Sequence, residues 1–479
     1  MKLNQIALAA AAVCAAAPAF ALTPAQIDAS TVQLWISGAT APTASVYKGI
    51  RTLCADNDGN GAPDDLHVYT EKTDPNPGKS AAGKFYAYAC TMGPLAGSLD
   101  GVKTVVYHTA DSGSFEAYTP HLFLAGEVNP LVGGTLKRMK PVNGSNTCAT
   151  TTVVNATGDA TFTGCGVDTV TLAANASPFG VPTLPQGGFS DTEYTLNQLN
   201  LGISKSLSDI GSETPTNVGQ GFGLAVSHPL YATLQKAQGL IATTAADGEA
   251  CDGNYAAGAC QPSVNRQKYS SLISTAGVTN KDGSLFGAPA GSVIRVERRV
   301  GTSGTQSSSN AFFLNTPCAT GLPGGALNPA GSNSAGTTSY NGGKVLVRSN
   351  NGSGDVKTSL TNASTAGELA IGVLSLENVP SATEKFAFVK VNGVAPNVDA
   401  KQRQTAIDGD YELWYELVAF TAGSAFSEGT DLINGTVIAL GDPSITDLTG
   451  LFVTKAAGVT GANVSKGAKL GNACAPAIQ

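Results

Sequence analysis

The sequence is poor in the residues that carry most metal and redox chemistry. Its 479 residues include only four histidines, three methionines and two tryptophans. No CxxC pair occurs, and the four histidines stand at no ligand spacing to the cysteines, so the pattern does not favour a zinc site. After the first 21 residues, no segment approaches the roughly 20 consecutive apolar residues that a membrane-spanning helix needs.

The amino-terminal segment is typical of a secretory signal peptide. Lys2 is followed by a long apolar run that ends in residues 19–21 (AFA), a small-x-small cleavage site. Cys14 follows Val13 rather than a small residue, which is not the usual pattern for lipid attachment. We expect residues 1–21 to be removed with Cys14, and the mature chain to begin at Leu22 as a soluble periplasmic or secreted protein.

Charge excludes one class of partner. Without Lys2 the chain has 27 basic against 35 acidic side chains, a formal net charge of about −8. Nucleic acid, which requires basic surfaces, is therefore not an expected partner.

Eight cysteines remain after the leader, an even number that predicts four disulfides in an oxidising compartment. Eight cysteines allow about 105 pairings. Their order along the chain favours neighbours, which gives the pairs Cys54 with Cys90, Cys148 with Cys165, Cys251 with Cys260, and Cys318 with Cys474.

Strands alternate with helices along most of the chain, a pattern that predicts α/β layers with largely parallel sheets. Strand, small-residue turn and helix follow one another at residues 33–53 and again at 292–314. Between residues 124 and 188 the composition shifts to Gly, Thr, Asn and Pro with short β-type runs. This stretch encloses Cys148 and Cys165 and predicts an inserted, disulfide-stapled β excursion.

The turn at residues 299–305 (RVGTSGT) combines three features that an oxyanion site needs. Arg299 ends a strand, Gly301 and Gly304 permit close approach of the backbone, and three hydroxyls open a helix. Fixed backbone N–H groups, hydroxyls and a planar guanidinium together bind tetrahedral anions. Gly- and Ser-rich turns also occur for steric reasons alone, so this turn by itself leaves both interpretations open.

Seven segments occur in the order found in the phosphate-binding proteins of bacterial ABC transporters, and the chain resembles that family from about residue 33 to about residue 420. The segments are 38–42 (GATAP) with Tyr47, 111–114 (DSGS), 188–191 (GFSD), 221–230 (GFGLAVSHPL), 299–305 (RVGTSGT), 370–372 (AIG) and 390–396 (KVNGVAP). Three departures are Ala41 in place of Phe, Gly301 in place of the acidic residue after the arginine, and the 124–188 insertion.

The resemblance implies a set of ligand-binding residues. Asp191 would accept a hydrogen bond from a protonated ligand oxygen, and Arg299 would supply positive charge. The other implied residues are Thr40, Ala41, Ser112 (with Ser114 as the alternative), Ser303, Gly304 and Thr305. Each also has a structural interpretation, since Thr40 and Asp191 could cap helices and Arg299 could form an ion pair.

The resemblance further implies a two-lobed fold of the type II periplasmic-binding-protein kind. Lobe one would comprise residues 22–222 and 371–479, and lobe two residues 223–370. The protein would be a monomer that binds phosphate or a similar oxyanion between the lobes, catalyses no reaction, and delivers the anion to an ABC permease in the inner membrane. The alternative is a secreted surface or adhesion protein that keeps the fold without transport. A phosphatase has little support, because no nucleophile stands beside a base.

A calcium loop is a separate expectation. Asp56, Asp58, Asn60 and Asp64 occupy positions one, three, five and nine of an EF-type loop, with Gly61 at position six. His67 stands at position twelve, where such loops place a bidentate Glu. An Asn/Asp/Gly-rich turn that needs no metal is the alternative. No other cofactor is expected.

Overall fold

The computed structural model of the protein describes most of the chain after residue 21. The described residues are 22–71, 83–111, 113–144, 148, 152–154, 160–241, 250–275, 281–319, 327, 337–396, 404–442, 451–453, 465–466, 474 and 477–478. The predicted signal peptide at residues 1–21 and the predicted ligand residue Ser112 lie outside them.

Strands and helices alternate through these ranges. The strands are β1 (Val32–Gly38), β2 (His67–Thr70), β3 (Phe85–Thr91), β4 (Lys103–Thr109), β5 (Thr135–Met139), β6 (Thr152–Val154), β7 (Thr161–Gly164), β8 (Val167–Thr171), β9 (Gly187–Ser190), β10 (Gly211–Ser227), β11 (Ser263–Val264), β12 (Ile294–Arg299), β13 (Thr337–Tyr340), β14 (Val345–Asn350), β15 (Leu369–Ser375), β16 (Phe386–Phe388), β17 (Lys390–Val391), β18 (Trp414–Ala422), β19 (Leu451–Val453), β20 (Ser465–Lys466) and β21 (Ala477–Ile478). The α-helices are α1 (Thr43–Leu53), α2 (Thr119–Leu124), α3 (Tyr194–Leu201), α4 (His228–Ala237), α5 (Arg266–Ile273), α6 (Gly304–Leu314), α7 (Ser353–Thr365), α8 (Gln404–Ile407) and α9 (Ser427–Leu440). None of these helices combines the length and the apolar character needed to cross a bilayer.

Fifteen strands form one large sheet. Thirteen follow the order β13-β14-β12-β15-β10-β18-β9-β1-β4-β3-β2-β7-β6, and β16 and β19 both pair with β10. In one part β1 runs parallel to β4 and β9, and in the other β12 runs parallel to β14 and β15. Parallel neighbours require crossover connections, which the helices provide. The α/β fold class predicted from the sequence is therefore confirmed. The prediction of largely parallel sheets is wrong, because β10 pairs antiparallel with β15, β16, β18 and β19, and β3 pairs antiparallel with β2 and β4.

The 17-residue strand β10 joins the two parts of this sheet. Its residues 211–221 pair with β18, whereas residues 222–226 pair with β15. The second predicted lobe border, between residues 370 and 371, falls inside β15, which pairs with β10 and β12. The division of the chain into lobes stays a prediction.

Strand β1, which precedes the first predicted turn, packs against the core on both of its faces. Successive side chains of a strand point to opposite faces, so Leu34 and Ile36 pack with Val46 and Ile50 of α1 while Trp35 packs on the other face. Both faces of the strand are buried, as expected for parallel neighbours. The carboxyl end of β1 is thus fixed where α1 begins.

The insertion is a β structure, as predicted. Strands β5 and β8 form an antiparallel pair, while β7 pairs with β2 and β6 pairs with β7, which extends the edge of the large sheet. All four predicted disulfides are confirmed: Cys54–Cys90, Cys148–Cys165, Cys251–Cys260 and Cys318–Cys474. The second of them staples the insertion.

Candidate functional site

The segment from Arg299 to Thr305, here called the arginine loop, connects β12 to α6 with the predicted strand, turn and helix. Ser303 is extended (φ −81°, ψ 129°) and caps α6, and its carbonyl accepts hydrogen bonds from the N–H groups of Gln306 and Ser307, each at 3.0 Å. The first N–H groups of an α-helix have no partner within the helix and form its positive end. The start of α6 is therefore suited to an anion.

Ser114 connects the arginine loop to the opposite side of the site. Its Oγ accepts a hydrogen bond from the N–H of Gly304 at 3.1 Å and donates one to Oδ2 of Asp191 at 2.8 Å. The neighbouring N–H of Phe115 donates to the carbonyl of Thr302 at 3.2 Å. Residues 113–115, here called the serine loop, thus contact the arginine loop directly.

Two glycines permit this contact. A Cβ atom on Gly304 would lie 2.2 Å from Ser114 Oγ and 2.7 Å from the Cβ of Asp191. Gly113 has φ +103°, a conformation that L side chains rarely adopt, and a Cβ there would lie 3.1 Å from the Cα of Ser303. Larger residues at either position would hold the two loops apart.

Asp191 follows β9, which lies between β1 and β18 in the sheet. The carboxyl group is buried, and burial raises its pKa to about 6, opposed by the hydrogen bond from Ser114 and the charge of Arg299. Oδ2 accepts from Ser114, whereas Oδ1 is buried without a hydrogen-bond partner among the described residues. A buried acceptor of this kind normally has a partner.

Arg299 is buried on the other side of the site. Nη1 donates to Oγ of Ser353 at 2.9 Å and Nη2 to the carbonyl of Asn351 at 3.0 Å. Burial lowers the pKa of the guanidinium to about 10, which leaves it charged at neutral pH. Its Nε is buried and lacks a partner within the described part of the chain.

The remaining predicted residues fall into two groups. Ser303 and Thr305 are buried at the start of α6, next to Gly304. Thr40 is exposed and its Oγ1 donates to the carbonyl of Ala110 at 3.0 Å, one turn before the serine loop, while Ala41 is partly exposed. The structure therefore brings Asp191, Gly304 and Ser114 into direct contact, and places Thr40 beside the segment that leads to Ser114.

Sequence reasoning missed the residues that hold Arg299. Both lie about 50 positions further along the chain: Asn351 is in the turn after β14, and Ser353 is the first residue of α7. Polar residues in an Asn/Gly/Ser turn at the end of a strand were the available signal. Ser114 was considered only as the alternative to Ser112.

The predicted calcium ligands also come together in part. Carboxylate oxygens of Asp56, Asp58 and Asp64 lie within 4.8 Å of one another. Backbone and amide groups of the same turn already donate to them, including Gly61 N–H to Asp56 at 2.8 Å. Oδ1 of Asn60 accepts from the N–H of Ala62 at 2.7 Å. Calcium binding stays a prediction.

Thermal unfolding of the protein with and without calcium tests the predicted calcium site. Ca²⁺ at about 100 times its Kd would add roughly 2.7 kcal/mol to the folded state, so we expect the chelator-treated protein to melt a few degrees below the calcium-saturated one. The measurement is calorimetry on wild type and D58N, which should respond less because it lacks one charged ligand. Identical melting with and without calcium would contradict the prediction.

The fold and the site together define a class of protein. It is an α/β protein with one large sheet, in which the start of a helix, a buried arginine and a buried carboxylate form the candidate site. No family model and no curated protein matches the sequence. The chain is similar in structure to proteins named for phosphate binding. One from Clostridium perfringens, named as a phosphate ABC transporter substrate-binding protein and solved with bound phosphate, is 12% identical with TM-score 0.37 and covers 87% of this chain and 99% of its own.

Two further solved structures are similar. An ABC-type phosphate transport receptor from Vibrio cholerae is 12% identical with TM-score 0.29, covering 54% of this chain and 74% of its own. A protein from Planctomyces limnophilus named for phosphate binding is 9% identical with TM-score 0.29, covering 82% of each chain.

Proposed function

We propose that this chain is an exported solute-binding protein that binds a tetrahedral oxyanion, with phosphate as the first choice. The observation that carries the proposal is that two buried atoms, Arg299 Nε and Asp191 Oδ1, lack a hydrogen-bond partner among the described residues. Asp191 lies against Gly304 at the start of α6, and the charge of Arg299 acts on its carboxyl group. One is a donor with positive charge and the other an acceptor. A ligand that satisfies both must offer an anionic oxygen and a hydroxyl.

Monoprotonated phosphate has this combination. Its charged oxygens can accept from Arg299 and from N–H groups at the start of α6, and its hydroxyl can donate to ionised Asp191. Sulfate at neutral pH has no proton to donate, so its oxygen would face the carboxylate and be repelled. Arsenate shares the chemistry of phosphate and should bind as well.

The direct contact between the two loops supports a binding mode with opening and closing. Both unpartnered atoms are shielded from solvent, so the serine and arginine loops must separate before a ligand can reach them. Strand β10, which joins the two parts of the sheet, is the natural place for such a hinge. In this proposal the protein works in the periplasm as a monomer and delivers the anion to an ABC permease, without catalysing a reaction.

Calorimetric titration with phosphate and sulfate in parallel tests the proposal. Phosphate should bind and sulfate should bind far more weakly at pH 8. A protein that responds to neither anion, nor to arsenate, would instead fit the surface or adhesion function. Hydrolysis of a chromogenic phosphate ester that is lost in S303A would show that the protein is an enzyme.

The selectivity should depend on pH through Asp191. Its pKa is raised to about 6, so the group is protonated below that pH and ionised above it. Protonated Asp191 can donate a hydrogen bond to a fully ionised oxyanion, and we therefore expect sulfate binding to strengthen by roughly tenfold or more as the pH falls from 8 to 5. The D191N variant, whose amide donates at every pH, should bind sulfate equally at both. Sulfate affinity of the wild type that does not change with pH would contradict this role.

A further inference from the structure

Ser353 and Asn351 accept hydrogen bonds from the guanidinium of Arg299. A positioning role for them rests on the proposed function. We propose that Ser353, together with the carbonyl of Asn351, orients the Arg299 guanidinium through neutral acceptors and leaves its charge for the ligand. Ser353 would thereby determine how strongly the site binds a doubly charged oxyanion.

The topology places these acceptors beside Arg299. Strand β14 runs parallel to β12 with Asn350 in register with Arg299, so the turn after β14 emerges next to the guanidinium. Two hydrogen bonds connect the guanidinium of Arg299 to this region: Nη1 donates to Oγ of Ser353 at 2.9 Å, and Nη2 donates to the carbonyl of Asn351 at 3.0 Å. Ser353 is also the first residue of α7.

The turn that carries Ser353 is itself held in place. The amide of Asn350 donates to Glu297 Oε2 at 3.0 Å and to the carbonyl of Arg298 at 3.1 Å. The N–H of Gly352 donates to Oδ2 of Asp355 at 2.9 Å, at the start of α7. These contacts give the acceptors of Arg299 a fixed position, and a fixed acceptor restricts the rotamers of a long side chain.

The charge of Arg299 is not compensated by a close carboxylate. Within the described ranges, no carboxylate oxygen lies within 4.0 Å of its guanidinium nitrogens. Arg295, four residues earlier in the same strand, is different because it pairs with Glu368 at 2.6 Å and with Glu297 at 3.2 Å. The carboxylates of Asp191, Asp355 and Glu377 act on Arg299 from beyond 4.0 Å and raise its pKa against the effect of burial. A serine hydroxyl and a carbonyl orient the guanidinium without neutralising it, so the ligand would be its first anionic partner within hydrogen-bond distance.

Three substitutions of Ser353 separate orientation from charge. S353T keeps the hydroxyl, and we expect it to bind phosphate like the wild type. S353A removes the acceptor, and we expect about tenfold weaker binding, the usual range for a hydrogen bond to a charged group. S353D keeps an acceptor but adds a carboxylate beside Arg299, and we expect weaker binding than in S353A because the guanidinium is then neutralised.

A structural role of Ser353 at the start of α7 would give a different result. The matched control is S427A, because Ser427 is likewise the first residue of its helix, α9, and is exposed. Calorimetry should show similar melting temperatures for S353A and S427A, with a loss of phosphate affinity only in S353A. In an R299K background, S353A should cause a much smaller loss, since the guanidinium that donates from Nη1 to Ser353 is gone.

The outcomes are distinct. If the wild type binds none of phosphate, arsenate and sulfate, the proposed function fails. If the wild type binds phosphate but S353A stays within twofold of it, or S353D binds as well as the wild type, the role of Ser353 is overturned while the proposed function stands. An equal loss from S353A in the wild-type and R299K backgrounds would also overturn it.

Discussion

The R299A variant is expected to bind phosphate roughly a thousandfold more weakly than the wild type, because removing one charged member of a buried site costs about 3–5 kcal/mol. Its melting temperature should change by only a few degrees. Asp191, whose pKa is already raised to about 6, can take up a proton when the nearby positive charge is lost. Calorimetric titration and thermal melting of the same preparations measure both quantities.

The matched control for R299A is R295A. Arg295 lies in the same strand but pairs with Glu368 and with Glu297, whose side chain is fully buried. Its removal should lower the melting temperature, since the buried carboxylate of Glu297 loses its charged partner, and should reduce phosphate affinity far less than R299A, because Glu297 keeps its hydrogen bond from Asn350. If R299A retains affinity within a few-fold, the arginine loop is not the binding site.

Gly304→Ala should weaken phosphate binding about a hundredfold by holding the two loops apart. The added Cβ would lie 2.2 Å from Ser114 Oγ and 2.7 Å from the Cβ of Asp191. Helix propensity favours alanine over glycine, by about 1 kcal/mol in a helix interior, so at Gly304, the first residue of α6, it would not destabilise the variant. The loss can only come from the steric conflict, and titration with phosphate measures it.

G354A is the control for this effect. Gly354 lies in the first turn of α7, and a Cβ there would meet no atom within 4 Å. This variant should bind phosphate like the wild type and melt at the same or a slightly higher temperature. Equal affinity in G304A and G354A would show that close contact of Gly304 with Ser114 is not needed for binding.

The features that could be predicted from the sequence are those that depend on short segments. The turn before α1 and the arginine loop have residue types that specify a strand, a turn and a helix start within about ten positions. The cysteine pairs follow chain order, and all four are present. The β insertion follows from a change in composition between residues 124 and 188.

The parts that could not be predicted depend on which distant segments become neighbours. Ser353 reaches Arg299 only because β14 lies beside β12 in a particular register, and nothing in either strand specifies that pairing. The contact of Ser114 with Asp191 depends on the backbone of one turn, in which Gly113 has φ +103°. Residue types alone do not specify in which direction the side chain of a single turn residue points.

The hydrogen bonds between the serine loop and the arginine loop have a consequence for the speed of exchange. Because Asp191 Oδ1 and Arg299 Nε are buried, the proposed function requires the bonds from Gly304 to Ser114 and from Phe115 to Thr302 to break before a ligand reaches these atoms. In the proposed function, the residence time of the anion is then set by how often these loops separate, and less by the strength of its own contacts. Affinity and release rate could therefore be altered independently, through the site in one case and through the loop contact in the other.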